Sequence, residues 1–188
     1  MSYKTILVHI DPGKHSEKRL ETAIHLAKQY DAYLVGLYAF SPYLPPGYIM
    51  AHMGAEIMAA QNKVAVESMA RAEEAFHKQT SSAGLEKIEW HTAYDDPVHA
   101  MSLHAQYADI VVIGQSDTED DSGIAMDFPE RLVLTAGRPV LILPNIDNFS
   151  SIGKHVVVAW NASQEATRAV SNAIPLLRSA DRVLERLE

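Results

Sequence analysis

Ile6-Leu7-Val8-His9-Ile10-Asp11-Pro12-Gly13, close to the amino terminus, decides how the rest of the chain is read. A short, mostly apolar run rich in β-branched residues stops at Asp-Pro-Gly, the pattern of a buried strand that runs into a turn. Past the turn, Leu20, Ala23, Ile24 and Ala27 fall at i, i+3, i+4 and i+7, with Ser16 as N-cap and Glu17 in the first turn, which predicts a helix. Tyr33-Leu34-Val35-Gly36-Leu37-Tyr38-Ala39-Phe40 is then continuously apolar, as a central parallel strand covered on both faces must be. The chain therefore opens with a βαβ unit.

Working outward, residues 41 to 54 carry Pro42, Pro45, Pro46, Gly47 and Gly54 and form a connection. A long amphipathic helix follows through Ile57, Ala60, Val64, Ala72 and Ala75 and ends near Ser81-Ser82-Ala83-Gly84. A third strand runs from Ile88 to Ala93; then Asp96 caps, and Pro97 opens, a short helix reaching about Tyr107. Ile110-Val111-Val112-Ile113 is a fourth strand ending at Gly114, and after a polar loop come a helix from Met126 to Ala136 and a fifth strand, Pro139-Val140-Leu141-Ile142-Leu143. This alternation predicts an α/β fold: a five-stranded parallel sheet, doubly wound and Rossmann-like, with helices on both faces.

Shifted by 150 residues without a gap, the end of the chain repeats its beginning. Ile6-Leu7-Val8 matches Val156-Val157-Val158, Asp11 falls on Asn161, Ala23-Ile24 on Ala173-Ile174, and Asp31 on Asp181. The expected organisation is a complete domain over residues 1–146 and a partial second copy over residues 153–188 that stops inside its second strand. Val183-Leu184-Glu185-Arg186-Leu187-Glu188 carries charges that do not suit a buried parallel strand, so this tail is expected to be helical or unpaired.

Composition narrows the function. With 188 residues, 47% apolar and 21% charged, the chain is an ordinary globular protein, and its net charge of -8 offers no general basic surface to nucleic acid or an anionic membrane. It has no cysteine, which excludes disulfides, thiol nucleophiles and thiolate-bound metals. No window approaches the roughly 20 apolar residues that cross a bilayer, and the amino terminus lacks the apolar region of a signal peptide, so a cytoplasmic location is expected.

The strand-end Ile10-Asp11-Pro12-Gly13, the order of the five strands, Val111-Val112-Ile113-Gly114, and Ala159-Trp160-Asn161-Ala162-Ser163 at the start of the second copy together resemble the universal stress protein family. The resemblance covers residues 3 to 144 as a whole domain. In ATP-binding members the loop after the fourth strand has the form Gly-x2-Gly-x9-Gly-Ser/Thr, whose glycines let backbone amides approach phosphates at a helix N-terminus. Here only Gly114 remains of that pattern: the other positions are Asp117, Asp127 and Phe128. The run Asp117-Thr118-Glu119-Asp120-Asp121 adds negative charge where a triphosphate would lie.

The candidate ligand crevice implied by this resemblance and by the strand order consists of Ile10, Asp11, Pro12, Ala39, Ile113, Gly114 and Gln115. Asp11 has a second use open to it, as a cap of the turn at Pro12-Gly13. No catalytic residue and no metal ligand can be assigned. Asp117, Glu119 and Asp121 do not follow a calcium loop, because glycine falls seventh and Phe128 twelfth. His99 and His104 are five apart, which places them on different helix faces, and Asp95-Asp96 before Pro97 suits capping better than paired acid/base chemistry. Tyr43, Tyr48, Met50, Met53 and Met58 either close over the core or cover a crevice or partner surface. The expectation is a stress-response binding or regulatory protein, a homodimer paired through the edge strand Val140 to Leu143 or bound to other proteins, with no cofactor; the alternative is an adenine-nucleotide binder with weak ATPase activity, using ATP with magnesium.

Overall fold

In a computed structural model the described residues are 2–41, 55–117, 123–145 and 152–187, side chains excepted at 55–62 and 187. The chain divides into two compact units, Lys4–Asn145 and Ile146–Glu188 with Met1–Tyr3.

The larger unit contains β1 (Thr5–Ile10), α1 (Ser16–Tyr30), β2 (Tyr33–Ala39), α2 (Ala55–Ser82), β3 (Ile88–Ala93), α3 (Pro97–Ala105), β4 (Ile110–Gly114), α4 (Phe128–Thr135) and β5 (Val140–Leu143). Its five strands pair in the order β3-β2-β1-β4-β5, all parallel, which is the doubly wound α/β sheet expected from the sequence. Leu7 is in register with Val35 on one side and Val111 on the other. The strand order reverses between β1 and β4, which opens a crevice at their carboxyl ends.

Side-chain alternation sorts the helices onto two faces. Leu7, Val35, Leu37, Val111 and Ile113 point to one side and form a core with Val98, Met101 and Ala105 of α3 and with Phe128 and Leu132 of α4. On the other face Ile6, Val8, Leu34 and Gly36 meet α1 and α2, whose Leu20, Ala23, Leu26, Ala27 and Phe76 are buried. Gly36 belongs in β2 for a steric reason: a Cβ there would lie 2.7 Å from the Phe76 ring and 3.0 Å from Trp90. The two rings, 5.2 Å apart, fill the space that the missing side chain leaves.

Asp96 caps α3 as expected, its Oδ1 accepting from His99 N–H at 3.1 Å with Pro97 at the first helical position. Ser16, however, is the first residue of α1 and not its N-cap. The turn after Pro12 is already closed by a Ser16 N–H to Gly13 C=O bond of 3.1 Å, so the hydroxyl is released and accepts from Asp11 N–H at 3.3 Å. The expected loop with Tyr43, Tyr48, Met50 and Met53, and the Met58 side chain, lie outside the described residues. Among the described residues no helix is long and apolar enough to cross a membrane.

The smaller unit holds β6 (His155–Trp160), α5 (Gln164–Arg178) and β7 (Arg182–Leu187), with β6 and β7 parallel in a two-stranded sheet. Ser163 caps α5 by accepting from Ala166 N–H at 3.0 Å. The tail expected to be helical or unpaired is therefore a strand. Its charges are tolerated because residues 182–186 are exposed: the backbone ladder with β6 is made without burying Glu185 or Arg186. Val157, which the 150-residue shift places on the buried Leu7, is 64% exposed.

The contact at Gly36 yields a direct test. Gly36→Val drives methyl groups into Phe76 and Trp90, and urea unfolding should show a loss of about 1–3 kcal/mol, the usual range for overpacking a filled core. A variant as stable as the parent would show that the rings do not occupy this space.

Candidate functional site

Asp11 is the first residue past β1, at the crevice where the strand order reverses. Its Oδ1 accepts from Gly13 N–H at 2.8 Å and so closes the turn, while its Oδ2 accepts from Arg19 Nη2 at 2.5 Å and lies 3.3 Å from His9 Nδ1. One carboxylate thus serves the turn and the crevice together.

The cation it meets is supplied by α1. Arg19 sits one turn into the helix, and its side chain, 6% exposed, turns across the end of β1. Nε donates to the His9 carbonyl at 2.7 Å and Nη2 also donates to Ser16 Oγ at 3.2 Å. Nη1 rests against the end of β4: a Cβ built on Gly114 would be 2.6 Å from it. Gly114 is therefore required for close approach of a guanidinium, where the sequence pattern suggested close approach of phosphate.

The electrostatics follow from burial and pairing. Burial favours the neutral form of Asp11, but the charge of Arg19, the His9 ring and the Gly13 amide outweigh it and hold the carboxyl well below the usual carboxylate range. For His9 burial dominates and lowers its value below that of a free imidazole, although Asp11 pulls the other way. A neutral His9 donates from Nδ1 toward Asp11. Its Nε2 is buried with no hydrogen-bond partner among the described residues, and its ring packs 4.8 Å from that of Phe128. Phe128, at the position where the nucleotide loop would place a hydroxyl, puts an apolar ring there instead.

Two cavities border Asp11. One, of about 40 Å³, lies between β1, β4 and the start of α4 and is lined by His9, Arg19, Gly114, Ser116 and Phe128 among others. The other, of about 250 Å³, lies between α1 and α2 and is lined by Pro12, Ser16, Ser68 and Arg71 among others. Of the crevice residues expected from the sequence, Asp11, Gly114 and Gln115 line the first, whereas Ile10, Asp11 and Pro12 line the second. Ala39 and Ile113 line neither: both are buried in the core under α3 and α4.

Of the acidic run only Asp117 is among the described residues, and it engages Lys14 Nζ at 2.9 Å and His15 Nε2 at 3.4 Å. The calcium-loop question for Glu119 and Asp121 lies outside them. His99 pairs with Asp95 at 2.5 Å, and the His104 ring bonds the Ala100 carbonyl at 2.9 Å. No cluster of three or more histidine or carboxylate side chains among the described residues is arranged to hold a metal. Arg19 and His9 were not among the sequence-based candidates. A signal existed for the first: Arg19, Ala23 and Leu26 share the i, i+4, i+7 spacing of the buried stripe.

Comparison with known proteins gives one family and one fold. A model of the universal stress protein family matches residues 2–144. No curated protein matches. Among solved structures, the universal stress protein UspA from Lactobacillus plantarum is 16% identical, with a TM-score of 0.61 over 76% of this chain and 99% of its own. A universal stress protein from Archaeoglobus fulgidus DSM 4304 is 15% identical, with a TM-score of 0.65 over 96% of this chain and 66% of its own. A universal stress protein in complex with cAMP is 21% identical, with a TM-score of 0.51 over 76% of this chain and 98% of its own.

Two outcomes check the geometry. Asp11→Asn leaves the Arg19 cation buried without its partner and should lower stability at pH 7 by about 3 kcal/mol. Because the folded-state value of Asp11 is depressed, its contribution is complete above the ordinary carboxylate value near 4 and fades as pH falls toward the folded value. The gap between parent and variant in urea unfolding should therefore narrow below about pH 4; a gap independent of pH would contradict the ion pair. Separately, Gly114→Ala should destabilise the parent by about 1–3 kcal/mol, and most of that penalty should vanish in an Arg19→Ala background. Additive effects would mean that the guanidinium does not rest on Gly114.

Proposed function

Since the chain belongs to the universal stress protein family, we propose that it is a stress-response binding or regulatory protein that acts by associating with itself or with other proteins, without hydrolysing a nucleotide. The observation that carries this reading is the Arg19 guanidinium at the point where the strand order reverses. The space left beside it, about 40 Å³, is far below the roughly 300–1,000 Å³ of a small-molecule site. Asp117 and Phe128 occupy positions where phosphate-binding groups would be needed, so the residues present do not fit a triphosphate with its magnesium. No catalytic role is part of this proposal.

Association has a surface to use. β5 is an edge strand of the sheet, and Ile142 on it is 41% exposed, with Leu134 of α4 85% exposed. An unpaired apolar edge supports strand pairing between two copies, and a homodimer in the cytoplasm is part of this proposal.

A second reading, adenine-nucleotide binding with weak ATPase activity, draws support from the 250 Å³ cavity on the other side of Asp11 and from the cAMP held by a protein of similar fold. Titration calorimetry of nucleotide-free protein with ATP, AMP and cAMP, with and without magnesium, separates the two. The expected result is no saturable heat. Saturable binding that falls on Asp11→Asn would replace the first reading with the second. Ile142→Lys should convert a dimer to a folded monomer in analytical ultracentrifugation; a parent already monomeric would remove the homodimer from the proposal.

A further inference from the structure

The amino ends of the strands hold a second cavity, at the end of the sheet opposite Asp11. β3 is an edge strand, and its Glu89 and His91 pair in register with Val35 and Leu37, so their side chains lie on the face that α3 covers. The last turn of α3 and the residues just after it bring His104 and Tyr107 over the same region, and Tyr33 opens β2 beside them. The space these side chains enclose above Leu7 and Val35 is about 460 Å³, within the roughly 300–1,000 Å³ of a small-molecule site. Its walls are held in place. His104 Nδ1 donates to the Ala100 carbonyl at 2.9 Å, His91 Nε2 lies 3.4 Å from the Glu89 carboxylate, and the two imidazole centroids are 5.2 Å apart. Tyr33, 51% exposed, and Tyr107, 84% exposed, add rings that the core does not use.

We propose that this cavity binds a small quaternary ammonium cation of about the size of choline. Glu89 is the one carboxylate among its lining residues, and no lysine or arginine lines it, so the local charge favours a cation. The π faces of the tyrosines favour the same charge, and the Tyr33 ring already has a cation beside it: Lys87 Nζ lies 5.9 Å from its centroid, paired with Asp31 at 2.6 Å. An apolar floor of Leu7 and Val35 cannot satisfy the N–H donors of a primary ammonium. A cation whose charge is wrapped in methyl groups meets the floor, the rings and the carboxylate together.

The test titrates choline chloride with the full chain at about pH 8, above the range in which a free imidazole is charged, and follows the choline methyl resonance by NMR. Saturable binding is expected, and 3,3-dimethyl-1-butanol, which has the same shape without the charge, should bind at least about threefold more weakly. Glu89→Gln and Tyr107→Leu, both at exposed positions, should each lower choline affinity by about threefold, whereas Tyr107→Phe, which keeps the ring, should match the parent. Phosphocholine, the headgroup form of the same cation, should bind more weakly than choline because Glu89 repels its phosphate; tighter binding would overturn the choice of a free cation. The absence of saturable choline binding, equal binding of the neutral alcohol, or a fall confined to one of the two substitutions overturns the site and leaves the proposed function standing.

Discussion

The ion pair between Asp11 and Arg19 is the constraint around which the larger unit is arranged. Two opposite charges are held 2.5 Å apart, each less than a tenth exposed, at the one place where an open parallel sheet leaves its strand ends accessible. Burying them is tolerable only because the remaining lone pairs and protons are used: Gly13 and His9 complete the carboxylate, and His9 C=O and Ser16 complete the guanidinium. Removing either charge leaves the other stranded. The same arrangement fixes the conformation of the turn after β1 and the entry of α1, while burial keeps the neighbouring His9 neutral against the pull of Asp11. The family fold is retained here with the Arg19 guanidinium laid across the ends of β1 and β4.

The strands of this fold were legible because buried parallel strands have little freedom in composition: Ile6 to Ile10, Tyr33 to Phe40 and Ile110 to Ile113 have few other uses in a chain this polar. Gly114 and Asp11 were legible by position, at the ends of strands. The partner of Asp11 was harder to see, since an arginine on an amphipathic helix ordinarily lies on the wet face. Only its place in the stripe with Ala23 and Leu26 marks it as buried, and what it touches is set by β1 and β4, which no local pattern encodes. His9 was hidden in a similar way, as a single polar residue inside an apolar strand whose neighbour Phe128 is far along the chain.

The end of the chain shows the opposite error. Glu185 and Arg186 argue against a buried strand, and that argument is sound, yet β7 forms because its residues stay at the surface. Backbone hydrogen bonding decides that a strand exists, and side-chain burial decides what it is made of. The repeat at a shift of 150 residues carried the first kind of information; composition carried only the second.

Helix α2 has a mechanical consequence. Its 28 residues span about 42 Å at 1.5 Å per residue, whereas the strand it covers, seven residues long, spans about 23 Å. The helix reaches the Asp11 end of the sheet at Ser68 and Arg71, which line a cavity together with Asp11. It is held to the sheet where Phe76 enters the gap at Gly36. A displacement of the helix is therefore met at the Phe76 contact, and β2 carries it to Ile10, the residue before Asp11, through the pairing of Tyr38 with Ile10.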